Sequence, residues 1–185
     1  MLNNNNTKKK SGCSCNFFSE GGLRKTRKVK KDSIKAIVVF GKNEHNVEGI
    51  VQFKEEKNGL RIKYKITGLA DGLHGFHIHE YGDLTQGCKS ACKHYNPLYK
   101  SHGSLTSKER HLGDLGNIIS NNKIAKGTIY AKSISLNYTK KHCIIGRMLV
   151  VHKDPDDLGM GNNPESLKTG NAGERLTCGI IGLKK

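Results

Sequence analysis

Three observations on this sequence predict an all-β fold, a sandwich or barrel of short strands. Its apolar residues come in short runs, the clearest of these alternate with polar residues, and Gly, Asn, Asp and Pro punctuate the intervals. Strands with a single apolar face close a core by packing sheet on sheet or by curling into a barrel. A chain of 185 residues fits one domain with a tail; with 35% hydrophobic residues and no Trp, the core has to be concentrated in those strands.

Taken in order, residues 1–31 open on an Asn run and a Lys triplet, pass through Cys13-Ser14-Cys15 and end in a basic stretch from Arg24 to Lys31. Apolar residues there are too sparse to offset the entropy of ordering the chain, so the segment is expected to be a disordered basic extension, with the folded domain at 32–185. Eight strands are expected, at 34–40, 47–53, 60–66, 75–81, 114–119, 124–131, 144–151 and 177–183. The third is the plainest, because Leu60, Ile62, Tyr64 and Ile66 alternate with Arg61, Lys63 and Lys65. The connections 82–113 and 153–174 are long for a compact domain and need function or a crosslink to restrain them.

The fourth strand carries the first chemical signal. A period-two backbone points His77 and His79 to one face and Phe76 and Ile78 to the other, which makes a preformed pair of imidazoles. His152 closes the apolar run 144–151. Between these landmarks lie His94, His102, His111 and Asp114. Three imidazoles and a carboxylate suit tetrahedral zinc, whereas three or four imidazoles without a thiolate suit copper(II), so the chain holds enough ligands for two ions.

The formal charge of +16 divides evenly, since nine Lys/Arg against Glu20 give residues 1–31 a net +8. A basic body draws in anions and a basic tail adds nonspecific attraction to nucleic acid or acidic surfaces, and charge alone does not choose between them. No run approaches the length of a membrane span, so no membrane contact is expected. The N-terminus lacks the continuous apolar stretch of a secretory signal, so an intracellular protein is expected. Six cysteines in such a protein read as thiols or ligands. Cys13-Ser14-Cys15 suits copper(I), and the basic run reads as a nuclear address, a nucleic-acid arm or a solvated tail.

Residues 72–83 (GLHGFHIHEYGD), Gly87-Cys88, 94–98 (HYNPL), 110–117 (RHLGDLGN), 142–152 (HCIIGRMLVVH), 156–159 (DDLG) and 168–182 (KTGNAGERLTCGIIG) together resemble the Cu/Zn superoxide dismutases. The likeness runs from about residue 34 to the C-terminus, with every ligand-bearing motif in order. It implies an eight-stranded Greek-key barrel, with two long functional loops, that converts superoxide to dioxygen and hydrogen peroxide through a copper ion alternately reduced and oxidised. By this resemblance copper is held by His77, His79, His94 and His152, and zinc by His94, His102, His111 and Asp114, with zinc structural and tuning the shared, catalytic His94. Asp156 would link His77 to His102, Arg175 would dock the anion, Thr169 would narrow its channel, and Lys168 and Lys153 would guide it. The resemblance also implies a Cys88–Cys178 disulfide and a homodimer built on Tyr81-Gly82, Ile145-Gly146 and 179–182; a copper chaperone is a candidate partner, and the missing secretory signal points to a cytoplasmic location, the host's cytoplasm or the virion if the Asn and Lys bias reflects a large DNA virus rather than a protist.

Departures from the family pattern are Met160 for a common Lys, Pro164 for an acidic residue, Glu174 for a small polar one and Cys92 for Gly. Glu174 beside Arg175 is expected to weaken anion guidance, and Cys92 to compete in disulfide pairing. Cys143 reads as a free thiol on an apolar strand, His74 as a structural histidine, and His45 and His142 as exposed turn residues. Two rival functions are a copper chaperone using Cys13 and Cys15, and a non-catalytic decoy or metal buffer, for which a ligand or the docking Arg should be missing.

Overall fold

The computed structural model of the chain describes residues 33–185. The extension expected at 1–31, with Cys13 and Cys15, lies outside the described residues.

Ten strands form: β1 (Lys35–Phe40), β2 (Glu48–Glu56), β3 (Gly59–Thr67), β4 (Gly72–His79), β5 (Thr85–Cys88), β6 (Asp114–Asn121), β7 (Ile124–Ala131), β8 (Met148–His152), β9 (Arg175–Ile180) and β10 (Gly182–Leu183). Nine of them make one antiparallel sheet ordered β10-β1-β2-β3-β7-β6-β4-β8-β9. Its two end strands, β9 and β10, are separated in the chain only by Ile181, so the polypeptide itself ties one edge to the other and the sheet curls into a nearly closed barrel. Contact across that seam is close: a Cβ added at Gly179 would sit 2.7 Å from Val38 Cγ1. β3 reaches β4 by crossing over β7 and β6, and β7 returns to β8 past β6 and β4, which gives the Greek-key connections.

Alternation supplies the core. Ala36, Val38 and Phe40 of β1, Val51 and Phe53 of β2, and Leu60, Ile62 and Ile66 of β3 point inward, while the residues between them face solvent or are half-buried. β8 is buried along its whole length, because Leu149 and Val151 join the barrel core while Met148 and Val150 pack outside it against Ala91 of the first long loop. The Cys88–Cys178 disulfide, with Cα atoms 5.7 Å apart, pins that loop to β9. It closes a span of 90 residues, for which the chain-entropy estimate is up to ~4 to 5 kcal/mol.

Three strand expectations differ from what forms. The apolar run at 144–147 is a turn, not a strand: Arg147 N donates to Ile144 O, Gly146 has φ 80°, and the Arg147 guanidinium donates to Cys143 O and Glu80 O while lying 3.5 Å from the centroid of the Tyr95 ring. Cys143, just before this turn, is half-buried and forms an isolated bridge with Ser135 rather than lying on a strand. The last expected strand breaks at Ile181, whose main chain exchanges hydrogen bonds with Gly146 and Arg147 of that turn. A short β5 forms inside the first long loop, and the second holds the single helical turn α1 (Ser166–Thr169).

Candidate metal centre

The centre begins on β4 and β8. On β4, Phe76 and Ile78 enter the barrel core, so His77 and His79 project from the opposite face; on β8 the same parity puts His152 on the outward side with Met148 and Val150. Pairing of Phe76 with Val151 and of His79 with Met148 lays these outward faces side by side. The long loops then cover them, leaving His77, His79 and His152 only 0%, 1% and 4% exposed.

Main-chain bonds stitch the first loop onto β4: Tyr95 N donates to Ile78 O at 2.8 Å, Gly113 N to Tyr95 O at 2.9 Å, and Ile78 N to Gly113 O at 2.9 Å. This path sets His94 against His77, with ring centroids 4.1 Å apart. Two groups of side chains result, His77, His79, His94 and His152 in one and His94, His102, His111 and Asp114 in the other. Within each, the candidate ligand atoms lie within 4.8 Å of one another, all are buried, and His94 belongs to both.

Hydrogen bonds orient the rings. His79 Nδ1 donates to Cys92 O at 3.0 Å and His152 Nδ1 to Gly173 O at 3.1 Å, which leaves their Nε2 atoms bare and 3.3 Å apart. His77 Nε2 donates to Asp156 Oδ2 at 2.8 Å and His102 Nε2 to Asp156 Oδ1 at 2.7 Å, so one carboxylate joins the two groups. Asp156 is itself held by Asn117, which accepts from Asp156 N and donates to Asp156 O, both at 2.8 Å. Asn117 has no cue of its own in the sequence. Close approach also explains Gly170: it has φ +67°, and a Cβ there would lie 2.1 Å from Asp156 Oδ1.

The donor atoms fit cations. His77 Nδ1 and His94 Nε2 are buried without a hydrogen-bond partner, a costly arrangement for a ring nitrogen unless it ligates. Around Asp114 Oδ1 the Nδ1 atoms of His94, His102 and His111 lie at 2.9, 3.1 and 3.2 Å. Four ligand atoms at zinc bond lengths from one tetrahedral ion would be separated by about 3.3 Å, close to this spacing. The other group offers only imidazole nitrogens, a set suited to copper.

Protonation follows the neighbours. Burial, with His77 beside each of them, lowers His94 to about 3 and His152 to about 2; burial and His94 also hold His79 well below the usual imidazole range. Burial also acts to lower His102, but the Asp114 and Asp156 carboxylates outweigh it and raise His102 to about 9. Burial pushes Asp114 and Asp156 upward, and their histidine partners more than reverse this, holding both carboxyls below the usual range.

Arg175, half-buried, is the β9 residue paired with His152, and its guanidinium donates to Cys88 O and Cys92 O. Cys92 O thus accepts from both His79 and Arg175. Glu174 turns elsewhere, its carboxylate 3.8 Å from Lys153 Nζ and 3.9 Å from His45 Nε2. Thr169 Oγ1 donates to Glu165 at the end of α1, beside the exposed Lys168. His74 is buried with each ring nitrogen 2.9 Å from a carbonyl oxygen, of His152 and of Ala70. His45 and His142, expected to be exposed, are half-buried: His45 lies between Glu44 and Glu174, and His142 Nδ1 donates to Ser133 O. Cys92 and Cys143 are free thiols.

Comparison with known proteins agrees with this centre. The family model described as copper/zinc superoxide dismutase (SODC) matches residues 47–181. A "Superoxide dismutase [Cu-Zn]" of Paramecium bursaria Chlorella virus 1 is 51% identical over 154 residues, covering 82% of this chain and 80% of that one. "Superoxide dismutase [Cu-Zn] A" of Xenopus laevis is 48% identical over 151 residues, covering 81% and 98%. An "Extracellular superoxide dismutase [Cu-Zn]" of Brugia pahangi is 47% identical over 158 residues, covering 80% and 75%. The chain belongs to the copper/zinc superoxide dismutase family.

Proposed function

We propose that this member of the copper/zinc superoxide dismutase family converts superoxide to dioxygen and hydrogen peroxide, with His77, His79, His94 and His152 holding copper and His94, His102, His111 and Asp114 holding zinc. The observation that carries the reading is one buried imidazole, His94, common to two complete ligand groups. When bound, copper supplies a one-electron couple that takes an electron from one superoxide and returns it to a second together with two protons. The chain's residues do the rest. His94 Nε2, unpartnered and buried, is the atom that takes up and releases a proton, while its Nδ1 stays fixed beside Asp114. Arg175 draws the anion toward His152 and His79, and its carbonyl anchors in the first loop hold its guanidinium still. Thr169 narrows the approach, and Lys168 and Lys153 add positive potential. Asp156 positions His77 and His102 together.

The exposed Tyr81, Ile180 and Leu183 beside Gly82 and Gly182 support a homodimer on that face. A copper chaperone as the loading partner and a cytoplasmic location complete the reading; no helix among the described residues is long and apolar enough to cross a membrane. Metal analysis and a superoxide-decay assay on one purified sample test the proposal. About one copper and one zinc per chain with accelerated decay are expected, and fully loaded protein that leaves the decay rate unchanged overturns it.

A further inference from the structure

We propose that the outer face of the β1-β2-β3-β7 half of the barrel binds single-stranded nucleic acid. Strand register puts cations opposite cations there: Lys35 faces Lys54, Lys54 faces Arg61, and Lys65 faces Lys126. Like charges directly across a sheet are destabilising, so an arrangement serving only the fold would alternate sign. Five lysines and Arg61 outnumber the acids of this face, where Glu48 stands exposed opposite Thr67 and Glu56 lies at the other end. Glu56 takes Arg61 at 2.9 Å, and Glu55 is turned onto Ser135 Oγ and Leu136 N. Among the described residues Lys35, Lys54, Lys63, Lys65 and Lys126 pair with no carboxylate; Lys54 is half-buried and the other four are exposed.

The spacing makes a lattice of charge. Same-face residues along a strand lie about 6.8 Å apart and neighbouring strands about 4.8 Å apart, so five ammonium groups share a patch on the order of 15 Å across. A repeating polyanion matches that better than an isolated anion does. The choice among polyanions comes from Tyr130, 65% exposed and the direct cross-strand partner of Arg61, so that the row Lys35, Lys54, Arg61 ends on an open aromatic ring. Cationic tracks with an aromatic platform bind single-stranded nucleic acid by holding phosphates and stacking a base. A sulfated polysaccharide has no base to stack, and the exposed apolar side chains Val39 and Ile50 of this face lie at the corner away from Tyr130, so a bilayer would leave the ring unused. No residue of the metal centre lies on this face, and in sequence the basic stretch 24–31 leads into Lys35.

The test uses the full metal-loaded chain and a labelled oligothymidylate, with binding followed by fluorescence anisotropy over a salt series. The combined variant Lys54→Gln, Lys63→Gln, Lys65→Gln should lower the log affinity against log salt slope by about 2 and leave metal content and superoxide decay unchanged. Tyr130→Ala should weaken oligothymidylate binding by about 5- to 100-fold and leave binding of heparin or phosphatidylserine vesicles as it was. A triple variant with the parent's slope and affinity overturns the proposal in favour of the tail. Heparin or vesicles bound as tightly as oligothymidylate, with Tyr130→Ala silent, overturns the choice of nucleic acid.

Discussion

Histidines on the two sides of the metal centre titrate in opposite directions, His79 and His152 on one and His102 on the other. His79 and His152 end their ring N–H groups on main-chain carbonyls, of Cys92 and Gly173, so burial dominates and the rings stay neutral far into acid. His102 has a carboxylate on either side, Asp114 and Asp156, and is held protonated up to about 9. An uncharged acceptor fixes the orientation of a ring without holding its second proton, whereas a carboxylate does both. His79 and His152 are therefore preset to ligate at neutral pH, whereas His102 must first release a proton.

The largest effects should separate the two sides. His152→Ala removes a ligand that only the His77, His79 and His152 side uses, so copper content should fall to background and dismutation with it while zinc stays near one per chain by metal analysis. His111→Ala should do the reverse, losing zinc and keeping copper. Loss of both ions in each variant would show that the two sides fold as one unit. Asp156→Asn touches both sides at once, because an amide oxygen accepts from only one of the two rings that the carboxylate now serves. Chelator competition should find both ions weakened, by about 10- to 100-fold; a loss confined to one ion would break the link drawn through Asp156.

Protons should then compete most strongly at His102. Below about 9, His102 carries the extra proton that an ion must displace from Nδ1, and above that value it does not. Zinc affinity of the metal-free protein, corrected for the chelator's own titration, should rise by about tenfold per pH unit from neutrality to pH 9 and then level off. Copper affinity should change less over the same range, since His94 and His152 titrate near 3 and 2 and His79 is held well below the usual imidazole range. Zinc affinity flat between pH 7 and 9 would remove the asymmetry.

The same contrast separates what the sequence discloses from what it hides. His77 and His79 are legible because a strand has a fixed period, and Phe76 and Ile78 between them declare which face is the core. The all-β class is legible for the same reason. Loop paths have no period, so His94, His102, His111 and Asp114 are legible as a zinc-suited donor set by residue type, their sharing of His94 with the strand histidines only through resemblance, and the clamping of Asp156 by Asn117 not at all. Apolar content misleads at 144–147, where Arg147 bound to Cys143 O and Glu80 O and stacked on Tyr95 turns a strand-like run into a turn. Adjacency in the chain makes Glu174, a departure from the family pattern, a hazard to Arg175; geometry turns its carboxylate toward Lys153.

Cys92 offers the smallest and most local test of the carbonyl-anchored side. Its carbonyl receives His79 and Arg175 together, and the residue holds φ 63° and ψ −140°, a conformation that only glycine adopts freely. Such backbone strain costs on the order of 1–3 kcal/mol. Cys92→Gly relieves it and keeps the carbonyl, while the freer unfolded chain offsets about 0.5–1 kcal/mol. The variant should therefore gain about 1 kcal/mol in urea denaturation of the metal-free, disulfide-intact protein, with copper content unchanged. Cys92→Ala keeps the strained conformation and removes only the thiol, so it should gain nothing. Equal gains in both variants would trace the effect to the thiol, and lost copper in Cys92→Gly would mean that the strain itself aims the carbonyl at His79.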